Sequence, residues 1–189
     1  MQLALKPRHL PLDELHAGLD HIRAAPKGEG RLEAIVARPA HGERLDLASA
    51  EISFAGGVAG DHWAKGCWKS LADGRPDPDV QICIMNARCI GLIAGERANW
   101  PPAGDNLFID MDLTPENMPP GTRLSIGEAV IEITAIPHNG CESFIARYGR
   151  DACVFVNTGE GKRMRLRGIY ARVVKDGRVS VGDRVAKVS

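Results

Sequence analysis

The sequence predicts a mainly β, barrel-like fold with a few short helices and an N-terminal helix, and three observations carry that expectation. Short apolar runs of alternating polarity recur along the chain. The 21 glycines and 12 prolines punctuate them with turns. The helical segments are few and are not regularly interleaved with strands, which disfavours a doubly wound α/β sheet.

Taken in order, Leu12, Leu15, Leu19 and Ile22 stand at steps of three, four and three, one face of a helix closed by Pro26 and Gly28. Residues 1–29 are read as a helical extension and residues 30–189 as the barrel domain. Residues 32–37 form an apolar run, and residues 43–53 mix apolar and polar positions between Gly and Pro borders, so both read as strands. The loop 71–79, rich in Asp, Gly and Pro, is a surface excursion or a pocket lid. Residues 80–85 read as a strand, 86–94 as a helix, and 129–136 as an alternating strand. Near the C-terminus, 169–174 and 178–181 flank Lys175-Asp176-Gly177, whose Asp-Gly signals a tight hairpin. After Gly182-Asp183 a last strand runs through Val185 and Val188.

Composition narrows the function classes. Lys plus Arg and Asp plus Glu are both 24, so no global field draws in nucleic acid, and any anion site is local. No apolar stretch approaches the roughly 20 residues that span a bilayer, and residues 1–9 lack the apolar centre of a secretion signal. The expected location is the cytoplasm. Five cysteines with no C-x-x-C pair argue against a disulfide framework and a tetrahedral zinc site, leaving reduced thiols.

Of these thiols, Cys141 stands where chemistry is expected. Asn139 precedes Glu142 by three residues, an Asn version of the capping box, so a helix begins there and Gly149 stops it. Cys141 then falls in the first turn, where free amides and the positive dipole end favour a thiolate, with His138 close enough in sequence to hydrogen-bond it. Such a thiolate attacks electrophiles, carries a persulfide or ligates a soft metal. The alternative, a small buried apolar residue, stays open. Cys83, Cys89 and Cys153 sit among apolar residues and read as packing; Cys67, between Gly66 and Trp68, fits neither role clearly.

Three further motifs offer ligand contacts. The glycine-rich bend 56–60 presents Asp61 and His62, and Trp63 and Trp68 are placed to wall a planar ligand. Asn106 offers a donor and an acceptor to an amide edge. Arg163, Arg165 and Arg167 alternate along an expected extended segment, a cationic strip suited to phosphate or carboxylate. An ordinary hairpin turn, an Asx turn and a solvated strand face are the respective alternatives.

Taken together, Gly60-Asp61-His62, Gly104-Asp105-Asn106-Leu107, Leu124-Ser125-Ile126-Gly127, His138-x-x-Cys141, and Arg167-Gly168-Ile169-Tyr170-Ala171-Arg172-Val173 through Gly182-Asp183 resemble the MOSC domain family, that of the molybdenum cofactor sulfurase C-terminal domain. The resemblance runs over residues 30–188 and is that of a stand-alone bacterial-type member. It implies a barrel-like fold and a sulfurtransferase-like role in which Cys141 carries sulfur as a persulfide. The donor it implies is a cysteine desulfurase, and pyridoxal phosphate enters only through that partner. The alternative it implies is a molybdenum cofactor (molybdopterin) binding module of a reductase system. There Cys141 ligates molybdenum, Asp61, His62, Asn106 and the arginines hold the pterin, and a redox partner supplies electrons. A non-catalytic small-molecule binding barrel is the third reading.

Overall fold

The structure, a computed structural model, describes residues 8–188; the expectation about a secretion signal falls largely on residues 1–7, which lie outside them. Seven strands close into a barrel in the order β11 (Arg184–Val188), β7 (Arg123–Ile126), β8 (Ala129–Ile133), β9 (Ile169–Lys175), β5 (Ile82–Asn86), β6 (Leu107–Asp110) and β1 (Glu29–Ala37), with β1 pairing back onto β11. β2 (Leu45–Leu47) extends the edge of β1. Every pairing is antiparallel except β5 with β6, which are joined through α3 (Ala87–Ala94), as a parallel pair requires a crossover. A smaller sheet orders β10 (Gly177–Ser180), β3 (Ser49–Ser53) and β4 (Gly57–Val58).

The period of two along each strand divides the apolar residues between two cores. Ile84, Leu107, Ile109, Ile131 and Val173 point into the barrel. Val36, Met85 and Phe108, on the opposite faces of three of these strands, point outward into a second core. β1 carries a bulge between Leu32 and Ala34, and this extra residue lets Leu32 and Ile35 both face inward despite their odd spacing. The second core is closed by α1 (Leu12–Ala17), α2 (Leu19–Arg23), α3, α4 (Glu142–Tyr148) and α5 (Arg150–Asn157), through Leu15, Leu19, Ile22, Ile90, Phe144, Tyr148 and Phe155, and α6 (Gly159–Arg163) packs on α5. Each such fully buried aliphatic or aromatic side chain contributes about 1.5–3 kcal/mol over exposure.

Several elements depart from the sequence reading. The helix expected over 12–22 is two helices broken at Gly18, where an added Cβ would come within 2.6 Å of Leu92. Asp176-Gly177 makes no two-stranded hairpin: β9 pairs with β8 and β5, while β10 leaves to pair with β3. The turn is a corner between sheets, fixed by the Phe54 amide donating to Asp176 Oδ1 at 2.8 Å. The arginine segment is not extended. Residues 159–163 are helical, and Arg165 takes a left-handed φ of 54°, so Arg163, Arg165 and Arg167 share no face. None of the described helices is long and apolar enough to cross a membrane.

Candidate functional site

A cleft of about 350 Å³ opens between the end of β1, the loop after β4, the residues preceding β6 and the start of α4. Its wall brings together Cys141, His138, His62 and Arg167 with Arg38, Arg44 and Arg147. Asp61 and Asn106 lie behind the wall. Arg163 is exposed and apart from the cleft, and Arg165 turns away to donate to the Met118 carbonyl at 2.7 Å. Residues 71–79 supply none of the described cleft lining.

Cys141 is exposed and is itself the N-cap of α4, two residues later than the capping-box reading placed the cap. Asn139 is not the cap because the chain stays extended through Cys141, with φ −130° and ψ −178°. Its side chain makes no close capping bond, yet the site favours the thiolate. Partial burial raises the thiol, and the amides of Phe144 and Ser143, the Ser143 hydroxyl and the charge of Arg167 outweigh it, leaving the thiol below its ordinary value. Asn157 holds the approach to this thiol: its Oδ1 accepts from the Gly140 amide at 2.8 Å and its Nδ2 donates to the Gly140 carbonyl at 3.2 Å. A Cβ on Gly140 would come to 2.8 Å from that Nδ2, so the clamp depends on the glycine.

The glycine bend delivers Asp61 to Arg38 rather than to a ligand. Asp61 accepts from Arg38 Nε at 2.8 Å and Nη2 at 3.0 Å, from the amides of Arg38 and Trp63, and from Asn106 Nδ2 at 2.9 Å. Burial alone raises the Asp61 carboxyl, but the Arg38 and Trp63 hydrogen bonds hold it below its ordinary range. Asn106 is equally committed, donating also to the Val36 carbonyl and accepting from the Cys83 amide at 3.1 Å. These two residues orient Arg38, whose Nη1 reaches Cys83 Sγ at 3.4 Å and the Gly104 carbonyl at 3.1 Å. His62 remains on the wall, its Nδ1 2.8 Å from the Arg38 carbonyl.

Beside this network lies a second, buried one. Arg167 donates to Asp105 Oδ2 at 2.7 Å and to the Ala103 carbonyl, and its guanidinium stacks 4.9 Å from the Phe144 ring centroid. Burial pushes the Asp105 carboxyl up against the pull of Arg167. His138 packs on Tyr170 with ring centroids 4.4 Å apart, and its Nδ1 stands 3.6 Å from Asp105 Oδ1, too far for a hydrogen bond. Burial and the charges of Arg167 and Arg38 hold His138 well below the ordinary histidine value, so it is neutral and makes no ion pair. Asp105 Oδ1, His138 Nδ1, Arg167 Nε and Arg44 Nε are buried without partners, polar atoms left available to a ligand. Cys67 and Cys83 also line the cleft; burial pushes the Cys83 thiol up, so it is protonated where Cys141 ionises more readily.

The sequence reading missed Arg38, Arg44, Arg147 and Asn157, and met Asp105 only as a member of the Gly104-Asp105-Asn106-Leu107 motif, with no role of its own. Of the four missed residues only Arg38 carried a signal, a charge at the first position after the buried run of β1. The others converge from loops and helices far apart in the chain. Among the described residues no group of three or more His, Cys, Asp or Glu side chains is placed to hold a metal ion.

A family model described as the MOSC domain matches residues 72–186. Among solved structures, the chain is similar to YuaD from Bacillus subtilis at 17% identity, covering 83% of this chain and 94% of that one, with a TM-score of 0.55. It is similar to YiiM from Escherichia coli at 21% identity, covering 84% and 70%, with a TM-score of 0.54. YiiM from Geobacillus stearothermophilus aligns at 14% identity over 85% and 73%, with a TM-score of 0.52. At these identities the likeness speaks for the fold. No curated protein matches the sequence.

Proposed function

Because this chain belongs to the MOSC domain family, we propose that it is a sulfur carrier or transferase, acting in molybdenum cofactor or metal-sulfur chemistry, with a persulfide on Cys141. One observation carries the reading: an exposed thiol held below its ordinary value stands on the wall of a cleft lined by four arginines. The step it would perform is thiol exchange. The Cys141 thiolate attacks the outer sulfur of a donor persulfide, a new sulfur–sulfur bond forms at Cys141, the donor's bond breaks, and the donor leaves as a thiolate. The start of α4 and the charge of Arg167, which favour the thiolate, would favour the persulfide anion in the same way. His138 is neutral, so its part is to shape the wall and offer a hydrogen bond, not to supply a cation. A cysteine desulfurase is the donor this reading calls for, and unpaired thiols suit the reducing cytoplasm.

The size of the cleft supports a second reading. About 350 Å³ lined by arginines is far more than one sulfur atom needs, and it suits a phosphorylated pterin either as sulfur acceptor or as resident molybdenum cofactor. The residues fit such a group: Cys141 offers a soft thiolate ligand, Arg38, Arg44, Arg147 and Arg167 meet its negative charge, and Trp68, 69% exposed beside Tyr170, offers a flat face. When bound, molybdenum would supply two-electron redox chemistry, with electrons from a separate redox partner. Asp61 and Asn106 would act through Arg38.

The test is the intact mass of the protein after incubation with a cysteine desulfurase and cysteine. The sulfur-carrier reading expects one added sulfur atom on Cys141, released by reductant and absent from Cys141→Ala. No adduct on the wild type overturns it. Co-purification of molybdenum with pterin fluorescence, lost in Cys141→Ala, would favour the cofactor-binding reading.

A further inference from the structure

Four arginines line the cleft, and among the described residues the carboxylates that reach them are already committed. Asp61 is taken up by Arg38 and Asp105 by Arg167. Arg44 and Arg147 have no acidic partner among the described residues: Arg44 Nη1 donates to the Glu43 carbonyl, and Arg147 Nη1 donates to the Pro102 carbonyl at 2.5 Å. The two come from distant segments, one before β2 and one late in α4, yet their guanidinium groups converge. A Cβ built on Gly104 would lie 3.3 Å from Arg44 Nη2 and 3.8 Å from Arg147 Nη1. Gly104 itself takes φ +88°, so both the turn and the space beside it depend on glycine.

Two half-buried like charges brought together without a carboxylate of their own repel, and the charges of Asp61 and Asp105 behind the wall offset this only in part. Burial, then the charges of Arg147 and Arg38, push the Arg44 guanidinium below its usual value. Its Nε is buried and unpartnered. A tetrahedral dianion answers all of these features at once, because guanidinium forks present paired donors to phosphate oxygens and the added charge cancels the repulsion.

We propose that Arg44 and Arg147 form a pincer for a phosphate dianion, free or as a monoester, within the cleft that holds Cys141. The proposal deepens the anion-binding part of the reading above and is independent of whether Cys141 carries sulfur. It also moves the anion site from the Arg163–Arg167 segment to a pair that no local sequence pattern links.

Calorimetric titration of the full chain with inorganic phosphate tests it. Wild type binds saturably, and more tightly at pH 8 than at pH 6 as the dianion replaces the monoanion. Arg44→Gln and Arg147→Gln each weaken binding by about tenfold or more, while Arg75→Gln, at an exposed residue paired with Asp73, leaves it unchanged. Without phosphate the two cleft variants melt at or above the wild-type temperature, since each removes one repelling charge, and phosphate raises the melting temperature of wild type and of Arg75→Gln more than that of either cleft variant. Sulfate competes in wild type and nitrate does not, a comparison that needs no variant. Adenosine monophosphate is the second probe: tighter binding than phosphate through the same arginines identifies a monoester as the source, and equal or weaker binding identifies free phosphate. Cys141→Ala keeps phosphate affinity while abolishing any sulfur adduct, so failure of the persulfide reading and failure of the pincer give different results. Absence of saturable phosphate binding in wild type, or wild-type affinity in both cleft variants, overturns the proposal.

Discussion

At the scale of single residues, the site is a thiol, a neutral histidine and four arginines, and the carboxylates behind them decide how they stand. Asp61 shows this most clearly: with five hydrogen bonds accepted from protein groups, it is a buttress for Arg38. Asp61→Ala leaves a buried guanidinium facing no counterion, and chemical denaturation is expected to show a loss of about 3–5 kcal/mol. Because the Asp61 carboxyl is held below its unfolded value, its contribution is full above about pH 4 and is lost as the pH falls through the folded value. A loss under 1 kcal/mol at neutral pH would mean that Arg38 is held by something else. The sequence marked Asp61 through its glycine bend but could not show its partner, since Arg38 lies 23 positions earlier. Cys141 was legible for the opposite reason, as a thiol predicted at a helix start, where the chemistry depends on local backbone. The structure moved the cap from Asn139 to the cysteine itself.

At the scale of elements, the site depends on how strand ends and turns place these residues. Gly168 leads into β9 with φ +123°, and a Cβ there would lie 2.4 Å from the Ile84 carbonyl of β5 and 3.0 Å from His138 Nδ1. Gly168→Ala is therefore expected to cost at least about 2 kcal/mol by strain and clash. It should also move His138 off Tyr170, visible as a changed imidazole chemical shift; an unperturbed melting temperature and spectrum would refute the close approach. Strands with clean alternation, such as β8, were readable from sequence because burial itself follows the period of two. The arginine segment was misread because alternating Arg and apolar residues imitate a half-exposed strand. What decides otherwise is Gly161, where a Cβ would lie 1.7 Å from the Phe155 carbonyl, so α6 can turn tightly against α5. Nothing local announces that contact. The Asp176-Gly177 corner follows the same logic, since its turn chemistry was right and its strand partner was set by β3, over a hundred residues away.

At the scale of the molecule, the closed barrel removes most sheet edges, and its outer face carries the helical layer that supplies α4 and thus Cys141. The cleft forms where barrel strand ends meet this layer, which buries ionisable groups and ties folding to pH. His138 stays neutral when folded, so below its unfolded value near pH 6.5 the unfolded chain binds a proton that the native state does not. Stability is expected to fall as the pH drops through about 6.5, before the carboxylates titrate, and His138→Gln should flatten this part of the profile. A profile unchanged by the substitution would show that His138 titrates freely. The barrel class followed from turn-punctuated strands, whereas the cleft needed all of its distant segments at once.

Both functional readings rest on one claim, that the exposed Cys141 thiol is poised as a thiolate within a cationic cleft. Alkylation rates of each cysteine, followed by peptide mass spectrometry with iodoacetate and iodoacetamide, test it directly. Cys141 is expected to react first, with an inflection below the ordinary thiol value of about 8.5. It should also be the only one to lose its relative preference for the anionic reagent when Arg44 or Arg147 is replaced by Gln. Faster labelling of Cys67, or a Cys141 rate indifferent to reagent charge and to both substitutions, would contradict the account.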